Sequence, residues 1–331
     1  MNRPARITQF LTNLLVFTVE SLVEQVLIVF STPVYIILIG AEILLSNYQQ
    51  RRLYSWKDTA MNIYLMLLNS IIDLFFRSIY VIILDYFYRH QWISFTNVIT
   101  YWLMLILMED FLYYWLHRFD HEIRFFWAVH VTHHSSEHMN LTVGFRSSVF
   151  QPLYRFIYFI PLALVGFKPM DILVVYSATQ IWGIFIHTEC INKMGWLEYL
   201  FVTPSHHRVH HASNPKYLDR NMGMFLIIWD KLFGTFQPEL PDSEYQPKKY
   251  GLTKSLDKET PTTVVFHEWN QMLQDLQQKN ITWKERWRYI FGPPGWSHDG
   301  SRLTSDELRQ IESGSMVTQA KNRMKTSHRS A

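Results

Sequence analysis

Residues 91–134 read QWISFTNVITYWLMLILMEDFLYYWLHRFDHEIRFFWAVHVTHH. The run from Gln91 to Met108 has no charged side chain and approaches the roughly 20 residues that a membrane-spanning helix needs. It leads into an HxxxH motif and an HxxHH motif, formed by His117, His121, His130, His133 and His134. The stretch therefore predicts a membrane helix followed by a histidine-rich metal site.

A second HxxHH motif lies at His207, His210 and His211, and His187 stands alone before it. Residues i, i+3 and i+4 project from one side of a helix, so each motif can offer two or three imidazoles to one point. One HxxxH pair is weak evidence, whereas three motifs together are strong evidence. Imidazole suits iron, zinc, copper and nickel, and nine exceed the roughly four to six ligands of one ion. The pattern predicts two metal ions.

The other histidines do not fit this spacing. His138 and His206 lie near the motifs, where they would either hydrogen-bond a ligand histidine or lie at the surface. The remaining four are expected to be ordinary surface histidines: His90, His267, His298 and His328.

Composition favours a membrane protein, since 48% of the 331 residues are hydrophobic and 16% are aromatic. Further apolar runs cover Gln25–Ala41, Thr59–Leu84 and Ile172–Thr188, with a shorter one at Phe156–Phe167. We therefore expect four or five spans. The Thr59–Leu84 run contains Asp73 and Arg77, four residues apart, which would either neutralise each other or mark a functional group in the membrane.

The histidine motifs are separated by an even number of predicted crossings, so they lie on one side of the bilayer. Arg51, Arg52 and Lys57 belong to the same side, which the positive-inside rule makes cytosolic. The expected fold is all-α: a polytopic integral membrane helical bundle with a cytosolic histidine-rich helical cap. The expected location is the endoplasmic reticulum in a eukaryote or the inner membrane in a bacterium.

Four regions are predicted along the chain. Residues 1–57 contain one or more apolar helices, including Ile7–Val19, and the basic loop; residues 58–236 contain the two-metal domain. Residues 237–303 form a polar cap, and residues 304–331 a disordered basic tail.

The sequence also excludes several classes. The net charge of +3 comes without a Lys/Arg block, so no nucleic acid partner is expected. The single cysteine, Cys190, excludes an internal disulfide and a thiolate cluster. There is no nucleotide-binding glycine fingerprint, so reducing electrons must come from an external donor.

The residues within and around the motifs resemble those of the membrane fatty acid hydroxylase and sterol desaturase superfamily. They read WLHRFDH at 115–121, HVTHHSSEHMN at 130–140, FIHT at 185–188 and TPSHHRVHHASN at 203–214. Downstream, YGLT at 250–253, FHEW at 266–269 and GPPGW at 292–296 are similar to the alkylglycerol monooxygenase-like branch. The resemblance covers about Asp58 to Leu303. Ala212 stands where a glycine is common in this superfamily. The sequence also shows no counterpart of the additional C-terminal spans of the animal enzymes.

The resemblance implies an O2-dependent di-iron enzyme that acts on a membrane lipid. Its nine iron ligands would be His117, His121, His130, His133, His134, His187, His207, His210 and His211. Hydrogen abstraction from a C–H bond, followed by transfer of an oxygen atom from O2 to that carbon, would give an alcohol; next to an ether oxygen the product is a hemiacetal, which breaks to an aldehyde and a glycerol derivative. The implied electron donor is tetrahydrobiopterin or a cytochrome b5-type carrier.

Two alternatives remain at this stage: a sterol or fatty acyl desaturase or hydroxylase, and a non-catalytic metal-binding membrane protein. Ligand histidines commonly donate their second N–H to a polar partner. The candidates for that role are Asp110, Glu137, Glu189 and Asn214.

Overall fold

A computed structural model describes residue 27 and residues 29–315. The Ile7–Val19 stretch and residues 316–331 of the predicted tail lie outside this part of the chain. Within the described residues the structure is helical, and the only β-type pairings are two isolated bridges. The all-α prediction is confirmed.

Three described helices are long and apolar enough to cross a membrane: α1 (Val29–Tyr48), α2 (Trp56–Tyr88) and α3 (Val98–Glu122). Their surfaces expose large apolar side chains, such as Leu74 at 72%. This is fewer than the four or five spans expected from the sequence. The Ile172–Thr188 run forms α6 (Pro169–Phe185), only 17 residues long, which is apolar because it packs into the protein core.

Helix α3 begins later and ends later than the apolar run suggests. The Asn97 side chain accepts a hydrogen bond from the Thr100 amide at 2.9 Å, which caps the helix at Val98. The prediction of a helix over Gln91–Met108 is therefore wrong at both ends. The helix continues to Glu122, so the first histidine motif lies on α3 itself.

Helix α5 (Arg155–Val165) and helix α6 form a hairpin. Gly166 joins them with φ of +119°, and a Cβ there would meet the carbonyl oxygen of Ile93 at 2.1 Å, so glycine is required. Arg155 donates a hydrogen bond to Asp73 of α2. Asp73 on this long apolar helix thus has a partner on α5 in addition to the nearby Arg77 that the sequence suggested.

The cap contains the shorter helices. Helix α4 (Arg124–His134) follows α3 after one non-helical residue, Ile123, so the two helices fold against each other. The others are α7 (Pro204–His211), α8 (Ile228–Phe233), α9 (Pro261–Leu276), α10 (Trp283–Phe291) and α11 (Ser305–Glu312). Helix α11 lies in the segment 304–331, so regular structure continues into the predicted tail.

Candidate metal centre

The nine predicted ligands lie in two adjacent groups, and within each group the ligand nitrogens are all within 4.8 Å of one another. The first group contains His117, His121, His130, His134 and His210; the second contains His133, His187, His207 and His211. The rings of His134 and His211 stack across the boundary with centroids 4.4 Å apart. The structure therefore brings all nine imidazoles together.

Each HxxHH motif is divided between the groups. His130 and His134 belong to the first group, whereas His133 belongs to the second. An α-helix advances about 100° per residue, so residues i and i+4 differ by about 40°, while i+3 and i+4 differ by about 100°. Each HxxHH motif thus offers two imidazoles to one group and the third to the other. The HxxxH motif contributes only to the first group.

The proton positions in the second group favour a cation. The Nδ1 atom of His133 lies 2.8 Å from the carbonyl oxygen of Arg146, and that of His187 lies 2.6 Å from the carbonyl oxygen of Gly183. A carbonyl only accepts, so each Nδ1 carries the hydrogen and each Nε2 of the neutral ring has a lone pair. These two Nε2 atoms face each other at 3.3 Å. Facing lone pairs repel, whereas a shared metal ion would stabilise them.

The first group has the same arrangement. His117 donates from Nδ1 to the carbonyl oxygen of Met222 at 2.7 Å, and its Nε2 lies 3.1 Å from Nε2 of His130. The Nε2 atoms of His121 and His210 are buried and have no hydrogen-bond partner in the described chain. Metal–nitrogen bonds of about 2.0–2.1 Å separate neighbouring ligand nitrogens by about 3.0–3.4 Å. The geometry of both groups fits a metal ion.

Burial keeps four of the candidate ligand imidazoles neutral. Burial lowers the pKa of His133 to about 4. Burial, followed by the neighbouring imidazoles, holds the pKa of His134, His207 and His211 well below its usual value. Neutral imidazole is the form that binds metals, so these ligands need no proton release at pH 7.

One short segment, which we call the Asp219–Met222 clamp, orients three ligands of the first group. The Asp219 carboxylate lies 3.2 Å from Nδ1 of His121. The carbonyl oxygen of Arg220 lies 3.0 Å from Nδ1 of His210, and that of Met222 accepts from His117. Partners of this kind fix the orientation of a ligand ring and the nitrogen that faces the metal.

Asn221 holds the clamp in an unusual backbone conformation. Its φ is +55°, and that of Asp219 is +51°, in the left-handed region that asparagine and aspartate tolerate. The buried Asn221 amide donates to the carbonyl oxygens of His206 and Gln237 at 3.0 and 2.8 Å. The Gln237 amide donates back at 2.9 Å. These bonds compensate for the strained backbone.

A second buried network surrounds the C-terminal end of α4. The Arg146 side chain is fully buried and donates to Asp58 and Asn62 of α2 at 3.0 and 2.9 Å. It also donates to the carbonyl oxygen of Thr132 and to the Ser135 hydroxyl. Because the Arg146 carbonyl orients His133, this network connects helix α2 to the second histidine group.

None of the four candidates for orienting the ligands contacts a ligand imidazole. Asp110 accepts hydrogen bonds from the Phe225 and Leu226 amides and the Trp229 indole. Glu137 accepts from Ser255, Glu189 lies beside Tyr250, and Asn214 bonds to Pro247 and Lys249. Asp110 therefore shapes the loop that follows the clamp, and the other three stabilise neighbouring loops.

The carboxylates nearest the ligands are two that the sequence analysis missed, Asp219 and Asp120. The Asp120 carboxylate lies 3.8 Å from Nδ1 of His130 and accepts hydrogen bonds from Gln151 and Tyr154. Asp120 lies three residues after His117, inside the first motif. This position was the sequence signal from which its place beside a ligand could have been predicted. Of the off-spacing histidines, His206 is buried at the start of α7, where its ring accepts from the Thr203 amide.

Comparison with known proteins shows which enzymes this chain resembles. The model of the fatty acid hydroxylase family matches residues 102–235. Human alkylglycerol monooxygenase is 36% identical over 292 residues, covering 85% of this chain and 62% of the relative. An ornithine lipid hydroxylase of Rhizobium tropici is 32% identical over 48% of this chain and 47% of its own length. Mouse lathosterol oxidase is 26% identical over 40% of this chain and 43% of its own.

The chain thus spans less than two thirds of the curated relatives it matches. No solved structure matches it.

Proposed function

Because the model of the fatty acid hydroxylase family matches residues 102–235 of this chain, we propose that it is an O2-dependent oxidoreductase that hydroxylates a C–H bond of a membrane lipid. The observation that carries this proposal is the pair of buried, all-imidazole groups. Histidine-rich sites without bridging carboxylates differ from hydrolytic two-metal sites, which commonly use such carboxylates.

In this proposal each group holds one iron ion, with five imidazoles in the first group and four in the second. Iron in such a site supplies the binding and reduction of O2. The protein contributes neutral ligands, the hydrogen bonds that orient them and a buried environment. The clamp and the Arg146 network keep the Nε2 atoms directed inward.

We propose an ether lipid of the alkylglycerol type as the substrate. Support comes from relatives named alkylglycerol monooxygenase in human, Xenopus tropicalis and zebrafish, at 36–37% identity. The match to the human relative covers 85% of this chain, considerably more than the hydroxylase domain. The reductant is external, a pterin or a cytochrome b5-type carrier.

We further propose a multi-pass arrangement with the metal centre on the cytosolic side. The loop between α1 and α2 contains Arg51 and Arg52 and packs against the cap, where the Asn140 side chain donates to the Leu53 carbonyl oxygen at 2.7 Å. Glu42, near the end of α1, accepts from the Leu141 amide at 2.9 Å. The basic loop and the histidine groups therefore share one side, and basic loops favour the cytosol.

A sterol or acyl-lipid oxidation is the second candidate. The similarity to lathosterol oxidase and to a sterol 5(6)-desaturase of Gibberella zeae favours it, although at lower identity and coverage. Both candidates begin with hydrogen abstraction. They differ in the substrate and in the product.

The proposed chemistry is tested by metal analysis and oxygen uptake on the purified full-length chain. Protein loaded with iron should bind about two ions per chain and consume O2 only with lipid and reductant. Protein loaded with zinc is the control, because zinc is redox-inert. A protein that retains only zinc and never consumes O2 would be a metal-binding scaffold.

A further inference from the structure

Helix α10 carries a stripe of exposed aromatic residues that the proposed function does not use. Trp283 is 78% exposed, Trp287 59% and Phe291 42%. They are spaced four residues apart, so they lie within an arc of about 80° on one side of the helix. The Trp287 and Phe291 rings are in contact, with centroids 4.4 Å apart. Together they form what we call the α10 aromatic face.

The opposite side of α10 is anchored to the protein. Tyr289 is 1% exposed, packs against Trp296 and hydrogen-bonds His298 at 2.7 Å. Just past the helix, the Gly292 carbonyl oxygen accepts from the Arg124 amide at 3.0 Å, at the first residue of α4. The aromatic face is thus held in a fixed orientation by the body that carries the histidines.

Helix α9 places this region beside the membrane. Its residues Val264 and Val265 pack with Leu65 of α2 in one apolar cluster, which also includes Ile72. Helix α2 has 33 residues, or about 50 Å, whereas the hydrocarbon core is about 30 Å thick. Its first turns bind Arg146 within the cap through Asp58 and Asn62. The α9 contact therefore lies near the level where α2 enters the bilayer.

Charge on α10 complements an anionic surface. The helix contains Lys284, Arg286 and Arg288 against one acid, Glu285, which caps the helix at Thr282. Amphipathic helices with aromatic residues on one side and basic residues beside them lie in the headgroup region of membranes. Tryptophan in particular is enriched at this level.

We propose that α10 is a membrane-surface helix whose aromatic face inserts into the headgroup region of an anionic bilayer, docking the cap beside the spans. This inference rests on the membrane placement in the proposed function and adds a contact that the spans do not require. The segment 237–303 then includes an apolar surface, although its overall composition suggests a polar cap.

The test uses the full-length chain in lipid nanodiscs of phosphatidylcholine with phosphatidylglycerol. A nitroxide label is attached to Trp287→Cys in a Cys190→Ser background, and its collisions with O2 and with a water-soluble nickel chelate are compared. Leu74→Cys, on the exposed side of α2, is the reference for lipid. Gln310→Cys is the reference for water, because α11 exposes no large apolar side chain. Iron content shows that each variant is folded, and Trp283→Cys replaces Trp287→Cys if needed.

The O2-to-nickel ratio at position 287 should be several-fold above that at position 310. It should fall when phosphatidylglycerol is omitted. A ratio equal to that at position 310 would overturn the proposal while leaving the spans intact, provided that position 74 reports lipid. A label shielded from both reagents would also overturn it, since protein would then cover the aromatic face. If position 74 reports water, the membrane placement itself fails, and α10 docking fails with it.

Discussion

His133 donates a hydrogen bond to the main-chain carbonyl oxygen of Arg146 over 2.8 Å. The Arg146 side chain simultaneously binds Asp58 of α2 and the end of α4, on which His133 lies. A candidate metal ligand is thus oriented by a backbone atom whose position depends on a buried ion pair. The pair connects a long apolar helix with the second histidine group.

Replacing Arg146 should destabilise the protein strongly. Arg146→Met leaves the buried Asp58 carboxylate without its cation, which costs about 3–5 kcal/mol in the free energy of unfolding. Arg89→Ala is the matched control, because the exposed Arg89–Asp85 pair contributes about 1 kcal/mol or less. Denaturant titration in detergent measures both. A loss for Arg146→Met as small as that for the control would show that the ion pair does not hold the network.

Adjacent histidines should affect different metal ions. His134→Ala removes a ligand of the first group, whereas His133→Ala and His207→Ala each remove one of the second. We expect each variant to lose iron and all activity while still inserting in the membrane. His138→Ala, outside both groups, should keep wild-type iron. Mass spectrometry of bound iron provides the comparison, and undiminished iron in all three ligand variants would refute the two-group assignment.

The clamp should control metal affinity without supplying a ligand. Asp219→Ala removes the carboxylate that orients His121, and loss of such a partner typically weakens metal binding about 10- to 100-fold. Asp306→Ala removes an acid that pairs with Arg309 at the surface and serves as the control. Competition with a chelator measures the affinity. Equal affinities for the two variants would mean that Asp219 does not orient His121.

The sequence could predict which histidines meet, because helical spacing restricts where an imidazole points. The same spacing separates His133 from His134 by about 100° about the helix axis, but it could not predict which residues of other helices complete each group. Nor could it predict the clamp. Arg220 and Met222 act through main-chain carbonyl oxygens, which carry no sequence signal.

The differences between the predicted apolar runs and the helices have a similar origin. The apolar run Ile172–Thr188 matches a span by composition, yet α6 packs in the core, where apolar side chains are equally favoured. Asp110 shares a face with His117 by spacing, but its carboxylate is used by the amides of Phe225 and Leu226, distant in the chain. Local spacing shows proximity, and long-range packing determines the partner.

Exposed residues that follow the first and the last histidine motif should be accessible from the same side of the membrane. Cysteines replacing Glu122, at the end of α3, and Lys216, beyond α7, would occupy exposed positions. In a Cys190→Ser background, an impermeant thiol reagent should label both from the cytosolic side only. Labelling of the two positions from opposite sides would be incompatible with a shared centre.

The central claim is the oxidation of an ether lipid at the two histidine groups. The most direct measurement is fatty aldehyde release from 1-O-alkylglycerol by the purified, iron-loaded chain, with O2 and either reduced pterin or cytochrome b5 as donor. The wild type should release aldehyde, His133→Ala should release none, and a fatty acid or sterol should react poorly, because a site that binds polar groups rejects molecules lacking them. Turnover of a sterol or acyl lipid, with none of alkylglycerol under either donor, would contradict the account.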